Sequence, residues 1–332
     1  MLLVDALYIN NSGGKVLLDY LITSLLERKT EAFFLLDKRC EASYLDLNIK
    51  NVTFVEATLK NRKEFYKNDN KKFTHIFCFA NLAPPIKCDG QVTTYFHNLL
   101  LSEIPSGTPV KKRLLLLLKR MFAKRVCGNS DLFVVQTGYA KDSFISAYGH
   151  RQVEIIPFYN DFGIVPGLKQ PNTFLYVSDG NSHKNHATLI KAWRYVSSKE
   201  AELWLTISDA YPTLQDEIAN LQNEGYKVYN HKNLKRSELN ALYAKAEYLL
   251  YPSLLESFGL GLIEGALAGC KVLSSDLPFA YQVVQPSAVF NPHDIVSIAS
   301  RIKEAADSQI FAKTVLKAHD EIDKLIRIIS EK

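Results

Sequence analysis

Short apolar runs alternate with helix-period segments along almost the whole chain. In the first half "MLLVDALYI", "EAFFLLD", "VTFVEA", "THIFCFA", "QVTTYFHN" and "DLFVVQT" read as strands. In the second half "TFLYVSD", "ELWLTIS", "YKVYNH", "YLLYPS", "KVLSSD" and "AVFN" take the same role. Between them lie helix patterns such as Lys15 to Arg28, "NHATLIKAWRYVSS", "TLQDEIANLQNEG", "KRSELNALYAKA" and "GLIEGALAG". Continuous apolar strands separated by helices predict parallel sheets covered on both faces. "PFYNDFGIVPGLKQPN", Pro157 to Asn172, breaks the rhythm with three prolines and two glycines and reads as a linker. The expectation is an α/β protein of two domains, 1–160 and 173–310, joined by 161–172. A final segment, 311–332, has a helix over Phe311 to Ile329 that could pack back on the first domain.

Composition changes this picture little. The 332 residues suit two domains, 47% are hydrophobic and 23% charged, and no apolar run reaches the ~20 residues of a membrane span. "MLLVDALYIN" has no basic leader and reads as a first strand, not a signal peptide. The five cysteines form no C-x-x-C pair, which argues for reduced thiols in the cytoplasm and against a zinc or disulfide framework.

Charge is concentrated in one place. "KKRLLLLLKRMFAKR", Lys111 to Arg125, has seven Lys/Arg and no acid, against a net charge of +5 for the chain. At ~100° per residue Lys112, Arg113, Lys119, Arg120 and Lys124 gather on one side and Leu114, Leu117, Leu118, Met121 and Phe122 on the other. Two readings stand: a core-packing helix with a basic outer face, or a helix against anionic lipid or a phosphorylated, lipid-linked ligand. No aromatic-basic interleaving supports nucleic acid.

The chemistry concentrates in "YPSLLESFGLGLIEGALAGCKVLSSDLP", Tyr251 to Pro278. Glu256 and Glu264 stand eight positions apart in an apolar, glycine-rich run, where an uncompensated carboxylate is costly. Read as strand, loop and helix, it makes Ser257 an N-cap and gives free amides from Phe258, Gly259, Leu260 and Gly261, an anion site. Both acids can then face one crevice and accept from sugar or ribose hydroxyls. "FLYVSDGNSHKNHATLIKAW" puts Lys184 beside a helix entry, where a cation opposes the dipole unless it serves a diphosphate. Surface lysine, exposed acids and turn glycines remain the plainer alternatives. In the first half "INNSGGKVLLDYLI" is a strand, a turn with Gly13 and Gly14, and a helix, without G-x-G-x-x-G spacing. His97 ends the strand "TYFHN", and Thr137 and Lys141 follow "FVVQ". A tight turn and a structural histidine are the plain readings there.

These residues together resemble retaining nucleotide-sugar glycosyltransferases of glycosyltransferase family 4. The resemblance is carried by Glu256-x7-Glu264, "GCKVLSS", "SAVFNPHD", "KRSELNALYAKAEYLLYPS" and the Lys184 loop. It is strong from Phe174 to about Ala306 and weak before. It implies two facing Rossmann-like domains (the GT-B architecture), with the nucleotide held by the second. Glu264 would bind the ribose, Glu256 the donor sugar, Lys184 the diphosphate, and the amides of Ser257, Phe258, Gly259 and Leu260 sugar and phosphate. Gly13 and Gly14 would approach donor phosphate or acceptor, and His97 the donor sugar. One position departs: many members have arginine five residues before the lysine, and here stands Asp179. The resemblance implies a metal-independent retaining transfer from a UDP- or GDP-linked sugar to a glycan or lipid-linked acceptor. Such transfer serves bacterial surface-polysaccharide assembly at the inner face of the cytoplasmic membrane. A GT-B-type sugar-nucleotide epimerase and a non-catalytic nucleotide-sugar-binding module are the competing readings.

Overall fold

The computed structural model describes residues 1–332 except 47–48, 106–107, 197–199, 311 and 332. The chain divides into two compact units, Met1–Asn160 with His319–Lys332, and Asp161–Ala318.

The first unit runs β1 (Leu2–Ala6), α1 (Ser12–Glu27), β2 (Ala32–Asp37), β3 (Val52–Val55), α2 (Leu59–Asp69), β4 (His75–Cys78) and β5 (Gln91–Tyr95). It continues through α3 (Val110–Val126), β6 (Leu132–Val135), α4 (Gly138–Tyr148) and β7 (Val153–Ile155). Its sheet has the order β3-β2-β1-β4-β5-β6-β7, with every pair parallel. β1 is buried along its length, as a central parallel strand must be, and this includes Asp5. Asp5 is tolerated because Oδ2 accepts from Arg62 Nε at 2.7 Å and from Tyr66 Oη at 2.8 Å. Arg62 is buried with it, and its remaining donors reach the carbonyls of Leu82 and Ala83.

The second unit runs β8 (Gln170–Tyr176), α5 (His186–Trp193), β9 (Glu202–Leu205), α6 (Pro212–Asn223), β10 (Lys227–Asn230), α7 (Arg236–Lys245) and β11 (Ala246–Tyr251). α8 (Leu260–Leu267), β12 (Lys271–Ser275), α9 (Pro278–Val283), β13 (Val284–Gln285), β14 (Ala288–Phe290), α10 (Ile295–Ala306) and β15 (Val315–Leu316) follow. The main sheet has the parallel order β10-β9-β8-β11-β12-β14, and β13 pairs antiparallel with β15. Residues 161–172, read from the sequence as a linker, lie in this unit. Asn240 Nδ2 of α7 donates to the carbonyls of Phe162 (2.9 Å) and Gly163 (3.1 Å), and β8 begins at Gln170.

The last helix, α11 (Ile322–Ser330), is shorter than its expected span. Val315–Leu316 is a strand, and Phe311 lies outside the described residues. α11 packs in the first unit through Ile322, Leu325, Ile326 and Ile329. Asp320 fixes its start, accepting from Tyr20 Oη (2.6 Å) and the amide of Tyr159 (3.1 Å).

α3 corrects the pattern reading. Leu116, Ala123 and Val126 are buried, whereas Leu114 (59% exposed), Leu117, Leu118 and Met121 (68%) face outward. The helix therefore packs by a narrow seam between the basic positions, and Arg120 belongs to that seam. Its Nε donates to Leu101 O and its Nη2 to Ser102 O, both at 2.7 Å. Arg120 is thus a structural clamp on the preceding turn and leaves the set of outward cations; Lys112 too is only partly exposed, while Arg113, Lys119 and Lys124 face outward.

Candidate active site

Both main sheets reverse strand order once, between β1 and β4 in the first unit and between β8 and β11 in the second. Loops leaving neighbouring strands there diverge to opposite faces and open a crevice, where doubly wound sheets hold ligands. The loop after β8 carries Lys184 and the loop after β11 carries Glu256.

Those two loops are stitched together. Leu254 N donates to His183 O at 2.8 Å, and Tyr176 Oη donates to Lys184 O at 2.8 Å. Asn185, left-handed at φ 62°, points Nδ2 at Pro252 O (3.1 Å) and Pro292 O (2.8 Å). The result brings Lys184 Nζ 2.7 Å from Glu256 Oε1, with both side chains mostly shielded. Lys184 closes a short 3₁₀ turn, Ser182–Lys184, and α5 begins only at His186. Asp179, at the position of departure from the family pattern, builds this loop: Oδ1 accepts from Asn181 N and Oδ2 from Asn181 Nδ2 (2.7 Å). His186 Nε2 lies 2.9 Å from Asp179 O, and burial lowers its pKa to about 4.

Glu264 sits in α8 and is 7% exposed. Tyr243 Oη donates to Oε2 at 2.8 Å, and Arg236 Nη1 approaches Oε1 at 2.5 Å. Burial, and then the Glu264 charge, push the Tyr243 phenol well above its ordinary value, so it remains a donor. Arg236 stacks on the Phe162 ring at 4.8 Å, and its Nε and Nη2 are buried without an acceptor among the described residues. Each acid of the pair thus holds one cation of its own unit. Arg236 and Tyr243 were not legible beforehand; only their place at the start and end of "RSELNALY", on the face that meets α8, could have signalled them.

The start of α8 differs from expectation. Gly259, at φ 84°, is the N-cap, not Ser257, so the first-turn amides begin at Leu260 and not at Phe258. The Phe258 side chain is buried. Gly261 and Gly265 serve packing and not ligand approach. A Cβ on Gly261 would stand 2.9 Å from Tyr251, and one on Gly265 2.5 Å from Leu249 Cδ2, so α8 lies directly on β11.

In the first unit Gly13 and Gly14 form the first turn of α1, preceded by Ser12 at φ 56°. A Cβ on Gly14 would lie 3.5 Å from His97 Nε2, so the turn after β1 and the segment after β5 meet. His97 stacks between Phe79 and Tyr95, with centroids at 5.6 and 4.7 Å, and burial lowers its pKa to about 4. Thr137 is the N-cap of α4, accepting from Ala140 N. Among the described residues no three His, Cys, Asp or Glu side chains gather as a metal site.

Two parallel doubly wound sheets, the second with acid–cation pairs at its switch point, define the class as ligand-binding α/β proteins of two-sheet architecture. Residues 161–321 match the model of the family described as Glycosyl transferases group 1. The O-antigen chain mannosyltransferase RfbU of Salmonella typhimurium is 31% identical over 169 residues, 49% of this chain and 47% of that protein. The chain thus spans about half the length of that relative. Among solved structures, HepE of Anabaena in complex with UDP and glucose is similar over 99% of this chain and 95% of its own, with TM-score 0.69 at 14% identity. Sucrose-phosphate synthase of Thermosynechococcus elongatus covers 93% of this chain and 94% of its own, with TM-score 0.68 at 15% identity. At these identities the likeness is one of fold, the GT-B glycosyltransferase fold.

Proposed function

We propose that this protein is a retaining glycosyltransferase that moves a sugar from a nucleoside-diphosphate donor, UDP- or GDP-linked, to a glycan or lipid-linked acceptor. The observation that carries the reading is the pair of acids at the second unit's switch point, Glu256 on Lys184 and Glu264 on Arg236 and Tyr243. Two cations and one neutral phenol donor around two carboxylates suit a ligand that is itself half hydroxyl and half phosphate. Lys184 would take the diphosphate, Glu256 the hydroxyls of the sugar and Glu264 those of the ribose. Charge developing on the departing phosphate would be met by Lys184 and the α8 amides, with no resident metal. The acceptor hydroxyl would attack from the leaving-group side and give its proton to that phosphate, which preserves the anomeric configuration. The mannosyltransferase relative supports surface-polysaccharide assembly as the setting, and the outward cations and leucines of α3 support work at the inner face of the cytoplasmic membrane.

The test is a thermal-shift screen of UDP-, GDP- and dTDP-sugars, followed by transfer assays with the donor that binds. A ligand at 100 times its Kd adds ~2.7 kcal/mol of stability. Lys184→Ala is expected to lower kcat/KM by about 100-fold, the scale of losing one charge-stabilising donor. Full transfer by both Lys184→Ala and Glu264→Ala would overturn the assignment. Conversion of the nucleotide sugar without any acceptor would point to epimerase chemistry instead.

A further inference from the structure

Asn81, in the loop after β4, is left-handed at φ 65°. Its backbone amide donates to Tyr95 O at 3.2 Å. The carboxamide oxygen Oδ1 accepts two backbone amides at once, from His97 at 2.7 Å and Asn98 at 2.8 Å. Two N–H donors on one atom fix that atom as the oxygen, so the group near His97 Nε2, at 3.4 Å, is the Nδ2 amine. An amine can only donate, so Nε2 is the acceptor and the ring proton sits on Nδ1. That proton is buried and finds no acceptor among the described residues, while Nε2 is the atom turned toward Gly14. The loop itself is held from below: Arg62, locked on Asp5, donates to the carbonyls of Leu82 and Ala83 immediately after Asn81.

We infer that Asn81 is the positioning residue of the first unit's switch-point site, setting both the place of His97 and its protonation form. One carboxamide does two jobs. Its oxygen pins the segment after β5, and its nitrogen holds the imidazole uncharged with the proton on Nδ1. His97 is therefore presented as a neutral ring and not as a cation for phosphate. Among the described residues, Phe79, Tyr95, Gly14 and Asn81 pack against the ring, and none of these four is charged. Tyr95 Oη is itself spent on Gln136, and burial pushes its pKa well up. The consequence for sugar transfer rests on the proposed function; the tautomer does not.

The test uses the full-length protein labelled with ¹⁵N-histidine, with His97→Gln to assign the ring. Wild type should show a neutral imidazole protonated on Nδ1 down to about pH 5. Asn81→Asp keeps an oxygen for both backbone amides but replaces the amine with an acceptor. It should move the proton to Nε2 and raise the titration midpoint by more than one pH unit. Asn81→Gly, which suits the left-handed backbone, should leave a tautomer mixture. In transfer assays with UDP-glucose and GDP-mannose as probes, Asn81→Asp should shift the acidic limb of kcat/KM to higher pH. An unchanged ring spectrum in both variants overturns the inference. An altered ring with no transfer from either donor leaves it standing and counts against the glycosyltransferase reading.

Discussion

Arg236 gives Nη1 to Glu264 and lies over the Phe162 ring, yet leaves two buried donors without acceptors among the described residues. A buried donor with no partner costs about 1–3 kcal/mol, so the arrangement is retained against a local penalty. Removing the cation alone leaves Glu264 with Tyr243 among the described residues. We expect Arg236→Met to destabilise the second unit by about 1–3 kcal/mol in urea unfolding, and Glu264→Gln in that background to recover most of it. A larger loss in the double variant would refute the pairing. The two glutamates were legible in the sequence because their spacing alone sets one in the loop after a strand and the other in the following helix. Arg236 was not, since the fold brings it to Glu264 from another helix of the same unit. Asp179 shows the reverse. Its identity marked a lost arginine, and only the loop geometry revealed that it caps Asn181 instead.

At the scale of elements α3 decides the most. The leucine run 114–118 places an apolar residue on every side of a helix, so periodicity has no single face to choose. Packing chose the seam of Leu116 and Ala123, seven positions apart, and Arg120 joined it by reaching two carbonyls. The outward surface is a leucine and methionine ridge flanked by Arg113, Lys124 and Arg125, the pattern of an interfacial helix. Leu114→Ser, Leu118→Ser and Met121→Ser together should change stability by no more than about 0.5 kcal/mol and abolish co-sedimentation with phosphatidylglycerol vesicles. Leu116→Ala should cost about 2 kcal/mol or more and leave sedimentation intact. Undiminished sedimentation of the triple variant would sink the membrane reading. α8 teaches the same lesson with glycines. Their sequence suggested room for a ligand, whereas two of them make room for β11.

For the whole molecule, each unit carries its own sheet with a switch point, and the chain returns to the first unit for its last helix. Leu325 is fully buried there, so Leu325→Ala should cost about 2–4 kcal/mol, read as a lower urea midpoint of the first unit. No change would mean that α11 is dispensable to that core. The sequence by itself determined the α/β class, twelve of the strands, the division into two sheets and the acid pair, because each follows from local periodicity or fixed spacing. β7, β13 and β15 escaped it; they are only two or three residues long, and no turn or spacing signal set them apart, as "SAVFNPHD" did for the equally short β14. Tertiary structure decided which face of α3 is buried, which cation meets each acid and which loop holds His97. Those choices depend on side chains distant in sequence competing for the same space and the same hydrogen bonds, and only the assembled fold resolves that competition.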